Sequence, residues 1–226
     1  MIDKRSIQLN TGGLMVESST GYPATLSVDY PDRDLDRLST FFRLFAAIPI
    51  VIILALLSGS DGGSGSDGGN GMRFQLATGA LVFVPTVLMF LFRQKYPRWW
   101  FDWNLALTRF CLRVGAYLAL LRDEYPSTDE EQSVHVEIVY PDAMQLNRWL
   151  PLIKWLLAIP HWIILVFLGI AAFVCIAIAW FAILFTGVYP RSLFDFVVGV
   201  MRWGLRVEAY ALLLVTDEYP PFSLQP

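Results

Sequence analysis

The longest run of apolar positions in the chain extends from Leu150 to Thr186, and its only ionisable residues are Lys154 and His161. As one helix this run would be about 55 Å long, whereas a bilayer core of about 30 Å needs only about 20 residues. We therefore predict a membrane-inserted segment. It folds either as an interfacial helix that continues into one long span at Pro160, or as two short helices that turn near Gly169.

The first half of the chain repeats the pattern of the second half. Tyr30–Asp32 recurs as Tyr140–Asp142, and the sequence Asp-Glu-Tyr-Pro at Asp123–Pro126 recurs at Asp217–Pro220. Such internal repetition predicts a tandem duplication. The expected divisions are an N-terminal cytoplasmic segment at 1–23, membrane repeats at 24–126 and 134–226, and an acidic linker at 127–133.

Residues 58–71 consist only of Gly, Ser, Asp and Asn. Their backbone groups would have no partners in hydrocarbon, so we expect this loop to lie in water. The equivalent point in the second repeat is Leu168–Ile170, which favours a helical hairpin in each repeat over a single long span. The predicted spans are Phe41–Leu57, Phe74–Phe92, Leu152–Leu168 and Ile170–Thr186.

Other patterns flank the predicted hairpins. Apolar and polar residues alternate with period two at Ala24–Tyr30 and Val134–Tyr140, which predicts strands that pair with each other, with the N-terminal segment or with a partner. Arg98–Leu121 and Ser192–Val215 have the aromatic and basic composition of interfacial amphipathic helices, and a third span is the alternative. The predicted fold class is an all-α membrane protein of two repeats, each a transmembrane hairpin followed by an amphipathic helix, with short cytoplasmic strands before each hairpin.

Composition agrees with a membrane location. Hydrophobic residues make up 55% of the chain and charged residues 16%, against about 25% charge in ordinary soluble domains. The net charge is -3 and the basic residues form no runs, so nucleic acid is not an expected partner.

Basic residues flank one side of the predicted hairpins, which the positive-inside rule places in the cytoplasm. They are Arg33, Arg37, Arg43, Arg93, Lys95, Arg98, Arg148 and Arg191. We expect a multi-pass protein of the bacterial cytoplasmic (inner) membrane, with both termini in the cytoplasm and the loop 58–71 outside.

Two groups of charged residues recur at the same spacing in the predicted amphipathic helices. They are Asp102, Arg109 and Arg113 in the first repeat and Asp195, Arg202 and Arg206 in the second. Offsets of seven and four place each group on one helical face. The arginines could bind anionic lipid headgroups. Alternatively, they could pair with Asp102, Asp195, Glu208 or the Asp-Glu-Tyr-Pro segments and so hold the helix against the hairpin, and the two roles can coexist.

Small residues recur at helical spacing in the last predicted span, at Ala172, Cys175, Ala179 and Ala182. Such a smooth face favours close helix contact within the hairpin, between repeats or with another subunit. The two cysteines, Cys111 and Cys175, stand apart in apolar segments, which argues against a disulfide framework or a zinc site.

The sequence has no recognisable catalytic motif. Its two histidines, His135 and His161, are far apart, and nucleotide-binding and nucleophile motifs are absent from it. We predict no catalytic residues, no cofactor, no metal and no enzyme activity. A lipid-modifying enzyme would need a dyad such as His161 with Asp102 or Asp195.

Several segments of the second repeat carry a family resemblance. They are Leu146–Pro151, Ala158–His161, Trp180–Gly187, Tyr189–Arg191, Ala209–Tyr210 and Tyr219–Leu224. With these segments the chain resembles the prokaryotic membrane family catalogued as domain of unknown function 4389. The first repeat is similar but degenerate, with the added loop 58–71 and with Trp99–Trp100 in place of Ser192–Leu193. The resemblance implies a small bacterial integral membrane domain, often duplicated, and implies no activity.

These observations together predict a non-enzymatic membrane protein. The expected role is an accessory or scaffold subunit that contacts lipid headgroups and another membrane protein, or a further copy of itself. The alternative is a homo-oligomeric channel or transporter, although the predicted spans offer almost no polar lining.

Overall fold

The computed structural model describes residues 22–31, 35–50, 52, 85–89, 92, 96–127, 132–142, 146–147 and 149–225. These residues form two short strands and a set of helices. In chain order the elements are β1 (Ala24–Val28), α1 (Arg37–Ala46), α2 (Arg98–Leu118), β2 (Val134–Ile138), α3 (Pro151–Leu157), α4 (Ile159–Thr186) and α5 (Arg191–Ala211).

The two strands predicted from period-two alternation are present, and they pair with each other. β1 and β2 are antiparallel, with Ala24 opposite Ile138 and Val28 opposite Val134. Alternate side chains are buried and exposed along both strands. One face of this sheet therefore packs on the helices, and the other face is open to solvent.

Helix α5 lies between the sheet and α4. On one side it contacts β1, where the ring of Phe194 meets the ring of Tyr30 edge-on at 5.0 Å between centroids. On the other side Trp203 and Val207 belong to a buried cluster that includes Ala158, at the junction of α3 and α4. The layers are therefore the sheet, then α5, then α4.

The strands pack across the two halves of the sequence. β1, from the first half, packs on α5 of the second half, while β2, from the second half, packs on α2 of the first half. Tyrosine hydroxyls make the same crossing: Tyr30 donates to the carbonyl of Tyr189, and Tyr140 donates to the carbonyl of Tyr96. Each strand is therefore held by the half of the chain to which it does not belong.

The predicted hairpin in the second repeat, Leu152–Leu168 with Ile170–Thr186, is wrong. α4 is one continuous helix of 28 residues that passes through Gly169 and ends at Thr186, where Gly187 caps it with a φ of 80°, a left-handed conformation that glycine adopts readily. A glycine inside a helix costs only about 1 kcal/mol, far less than breaking backbone hydrogen bonds in apolar surroundings. The structure instead matches the alternative in which a preceding helix, α3, continues into one long helix near Pro160.

The predicted fold class is therefore contradicted. In the described ranges the chain is mostly helical with a two-stranded sheet, and one helix, α4, is long and apolar enough to cross a membrane. A repeated hairpin and a multi-pass pattern are not seen there. The structure describes residues 41–50 and 52 of the predicted span Phe41–Leu57, whereas most of the predicted span Phe74–Phe92 and all of the loop 58–71 lie outside the described residues. The predicted amphipathic segments do form helices, α2 and α5, within a few residues of the expected bounds.

Candidate functional site

Two of the predicted arginines cap the outer edges of the sheet. Arg202 of α5 donates from Nε to the carbonyl of Leu26 at 2.9 Å, and Arg109 of α2 donates from Nε to the carbonyl of Val136 at 3.1 Å. On either side of the Leu26–Val136 pair the strands are joined by hydrogen bonds, from the N–H of Asp29 to the carbonyl of Ser133 and from the N–H of Val139 to the carbonyl of Pro23. Because paired and unpaired positions alternate in antiparallel sheets, the carbonyls of Leu26 and Val136 point outward, away from the other strand. The arginines therefore occupy the central acceptor of each open edge.

The other two predicted arginines hold the segments that follow their helices. Arg113 donates to the carbonyl of Ser127 at 2.6 Å. Arg206, which is buried, donates to the carbonyls of Ser223 and Gln225 at 3.3 and 2.7 Å. Hydrogen bonds from a charged donor are among the stronger ones in proteins, so these contacts fix each tail against its helix.

The carboxylates expected to partner these arginines lie elsewhere. Asp102 and Asp195 are exposed on the surfaces of α2 and α5. Asp195 still acts on Arg202 at a distance, since burial lowers the pKa of Arg202 while the negative charge of Asp195 opposes that shift. The structure therefore gives the four arginines backbone carbonyl partners, which the sequence did not indicate.

The Asp-Glu-Tyr-Pro segments hold a different pair of cations. The side chain of Lys154 in α3 is fully buried, with Nζ 2.7 Å from Oδ1 of Asp217 and 2.6 Å from the carbonyl of Thr216. Burial lowers the pKa of Lys154, while the hydrogen bond and charge of Asp217 act in the opposite direction. The Lys154 ammonium also lies 5.2 Å from the ring centroid of Tyr210.

The first half contains the same arrangement with arginine in place of lysine. Arg43 of α1 forms an ion pair with Asp123, donates to the carbonyl of Tyr117 at 3.2 Å and stacks over that ring at 4.7 Å. The backbone N–H of Asp36 donates to Asp123, as that of Asn147 donates to Asp217. Aligning the two sequence units would have found Arg43 and Lys154, because each stands four residues before an Ala-Ile-Pro segment.

His161 lies in an aromatic cluster and not beside a carboxylate. Its side chain is fully buried, stacks on Phe222 at 4.0 Å between ring centroids, and accepts a hydrogen bond at Nδ1 from Nε1 of Trp203 at 3.1 Å. Tyr219 closes another side of the ring at 4.8 Å. The geometry gives His161 a packing role at the start of α4, and it does not bring His161 to the exposed Asp102 or Asp195.

The face of small residues predicted on α4 is turned partly inward. Ala172 and Ala179 are buried, and Cys175 and Ala182 are half-buried. Together with His161 and Ile183 they form the stripe of α4 that packs on the rest of the protein. These small residues therefore contact other parts of the same chain, and their size allows the helix to approach closely there.

The rest of α4 is an exposed apolar surface. In its most apolar 18-residue window only 11% of residues are buried, and the mean hydropathy of that window is 2.9. Its exposed side chains are hydrophobic except for Thr186, whose hydroxyl donates to the carbonyl of Ala182. Four of these exposed side chains are the phenylalanines Phe167, Phe173, Phe181 and Phe185.

An open pocket of about 260 Å³ lies where the sheet meets the C-terminal segment. Its lining includes Asp142, Thr216 and Asp217. Asp217 is already bound to Lys154 and to the backbone N–H of Asn147, so its carboxylate is not free to act as a catalytic group in this pocket. Across the part of the chain that the structure describes, no three His, Cys, Asp or Glu side chains form a group that could hold a metal ion.

Comparison with known proteins supports the family resemblance over the second half of the chain. Residues 149–223 match the model of DUF4389, a family described as a domain of unknown function. No curated protein and no solved structure matches the chain. The matched residues include α3, α4, α5 and the tail that carries Asp217 and Phe222, which are the elements that form the buried cation pair and the aromatic cluster.

Proposed function

We propose that this chain is a non-enzymatic membrane protein that serves as an accessory or scaffold subunit. The observation that carries the proposal is the exposed apolar surface of α4, which is too large to be left in water by a soluble monomer. Acyl chains of lipid cover most of this surface, and we propose the bacterial cytoplasmic membrane as the membrane concerned.

The opposite side of the molecule is suited to water. Thr25, Ser27, His135 and Glu137 are the exposed side chains of the sheet. A molecule with one apolar and one polar side settles at a membrane surface with the polar side outward. That polar side is the part available to another protein.

Lipid headgroups are bound by the arginines at the starts of α2 and α5. Arg98 and Arg191 are exposed and lie 5.2 and 5.1 Å from the ring centroids of Tyr140 and Tyr30. Trp99, beside Arg98, is 68% exposed. Exposed aromatic and basic side chains in one place are typical of the membrane interface, where each cation near an anionic surface contributes about 1 kcal/mol.

Membrane attachment is tested by fractionation of cells that express the full chain. We expect the protein to remain with membranes after washes with high salt and with alkaline carbonate. Changing Phe167, Phe173 and Phe181 together to Glu should move it to the soluble fraction, since these side chains are exposed and their loss leaves the packed stripe intact. The matched control, Thr25→Glu with Ser27→Glu on the sheet, should stay in the membrane. A wild-type protein that is soluble without detergent would refute the proposal.

The scaffold role is tested by cross-linking in native membranes, followed by purification in mild detergent. We expect a second protein and anionic lipid to co-purify with the chain, and the lipid to be lost when Arg98 and Arg191 are both changed to Gln. Recovery of a bare monomer without lipid or protein would contradict this role. Nothing on the exposed surface of α4 favours a channel, because that surface has no polar lining apart from Thr186.

A further inference from the structure

We infer that α4 lies parallel to the plane of the membrane, inside one leaflet, instead of crossing it. This inference rests on the proposed membrane location. It follows from the way that α4, α5 and the sheet are layered, and from the position of the two ends of α4.

The first step is that α4 and α5 pack antiparallel, with their axes in nearly the same line of tilt. At one end, Ala158 packs with Tyr210 and Ala211 at the end of α5. At the other end, only residues 187–190 join the two helices, so the end of α4 lies beside the start of α5. Antiparallel helices that stay in contact at both ends have nearly the same tilt, so α5 crosses the membrane if α4 does.

The second step is that α5 cannot cross the membrane while it carries the sheet. Arg202, near the middle of α5, binds the carbonyl of Leu26 in β1. If α5 crossed the bilayer, the sheet would lie at the depth of the hydrocarbon core, with Glu137 and the backbone groups of its open edges beside lipid. Such groups have no partners in hydrocarbon, where open sheet edges do not occur.

The third step is that the residues just before α3 and just after α4 lie at the same depth in the membrane. The carbonyl of Gly187, just after α4, accepts a hydrogen bond at 2.9 Å from the N–H of Leu35. The backbone N–H of the adjacent Asp36 donates a hydrogen bond to the carboxylate of Asp123. In the same way, the backbone N–H of Asn147, before α3, donates to the carboxylate of Asp217. The two contacts are equivalent in the two halves of the chain, as are the Arg202–Leu26 and Arg109–Val136 contacts on the sheet. A two-fold axis normal to the antiparallel strand pair would relate such equivalent contacts and place them at equal distance from the sheet. The two ends of the α3–α4 segment therefore lie at one depth.

The dimensions agree with an in-plane position. A helix with its side chains is about 10 Å thick, and half of the hydrocarbon core is about 15 Å deep, so one layer of helix fits within a single leaflet. α4 has 28 residues and is about 42 Å long, which exceeds the thickness of the whole core. In this position α5 and α2 lie at headgroup depth, and the sheet faces water.

Cysteine labelling in sealed vesicles tests the sidedness of the two ends. Single cysteines replace Leu152 and Val188, which are 44% and 46% exposed, in a full chain whose Cys111 and Cys175 are changed to Ala. We expect a membrane-impermeant maleimide to label both positions in vesicles of one orientation and neither position in vesicles of the other. Labelling of the two positions from opposite sides would overturn the inference and leave membrane attachment standing. A soluble protein would overturn both.

Depth measurement separates an in-plane helix from a bent one. Spin labels at positions 163, 170 and 181 share the face opposite the packed stripe and extend over about 27 Å of helix. Equal depth at all three positions is the expected result. A monotonic change in depth, or a middle label much deeper than the other two, would refute the in-plane position. Oriented circular dichroism of the wild-type protein in aligned anionic bilayers tests the same point without any substitution, because helices that lie in the membrane plane and helices that cross it have different spectra.

Discussion

The Asp217→Asn substitution removes the counter-ion of a fully buried cation. Loss of one partner from a buried ion pair costs about 3–5 kcal/mol. Since the side chain of Asp217 is 29% exposed, we expect a loss of about 2–4 kcal/mol at about pH 7. For a chain of this length, a loss of about 3 kcal/mol lowers the melting temperature by about 6–12 °C. Differential scanning fluorimetry in detergent measures this shift.

The dependence of this loss on pH identifies the buried charge as its cause. Burial lowers the pKa of Lys154 below its ordinary 10.5, so between the two values the unfolded chain binds more protons than the folded chain. Stability therefore rises with pH across that window. Without the Asp217 carboxylate the pKa of Lys154 falls further, which widens the window. The stability deficit of D217N should therefore shrink as the pH is raised from about 7 to about 10.

The matching pair in the first half provides the control. Asp123→Asn leaves Arg43 without its carboxylate, but a guanidinium does not lose its proton in this pH range. The deficit of D123N should therefore stay constant where that of D217N shrinks. K154M, which replaces the cation by an apolar chain of similar length, should abolish the pH dependence. Equal recovery of D217N and D123N at high pH, or no recovery of D217N, would refute the reasoning.

Three further predictions concern residues of α5, and each is checked by the melting temperature. A Cβ added at Gly199 would lie 3.0 Å from atoms of Leu224 in the C-terminal tail, so Gly199→Ala should lower the free energy of unfolding by about 1–3 kcal/mol. A Cβ added at Gly204 has no atom within 4 Å, so Gly204→Ala should raise the free energy of unfolding by about 0.5–1 kcal/mol through its better helix propensity. Burial raises the pKa of Glu208 from 4.5 to about 7, so stability should fall by at most about 3 kcal/mol as the pH rises through that interval, and Glu208→Gln should remove the fall. Arg202→Gln removes the charged donor to Leu26, so it should cost about 1.5–3 kcal/mol and increase self-association in sedimentation by opening a sheet edge, while Arg202→Lys should retain part of the contact.

Local patterns in the sequence were sufficient to predict the strands and the amphipathic helices. The alternation at Ala24–Tyr30 and Val134–Tyr140 reports which face of a strand is buried, and that property belongs to the strand itself. The helix predicted at Arg98–Leu121 begins at Arg98 and ends three residues early, at Leu118. Both predictions depend on near neighbours in the chain, so the sequence alone contains the information for them.

The predictions that failed required information from distant residues. The hairpin at Gly169 was inferred from the polar loop 58–71 of the other half, and Gly169 itself carries no turn signal, because its neighbours are apolar and suit a helix. The arginine partners were sought among carboxylates, but Arg202 binds a backbone carbonyl of a strand 176 positions away. Every residue has a carbonyl, so composition and spacing cannot single out the acceptor.

Because β1 packs on α5, the first strand cannot be covered until α5 has been synthesised. Leu26 precedes Arg202 by 176 positions, so the helix that covers this strand is translated much later than the strand itself. Until α5 has formed, the first strand has neither its apolar cover nor the guanidinium that caps its edge. A chain that stops short of α5 therefore exposes the strand β1 to chaperones and proteases.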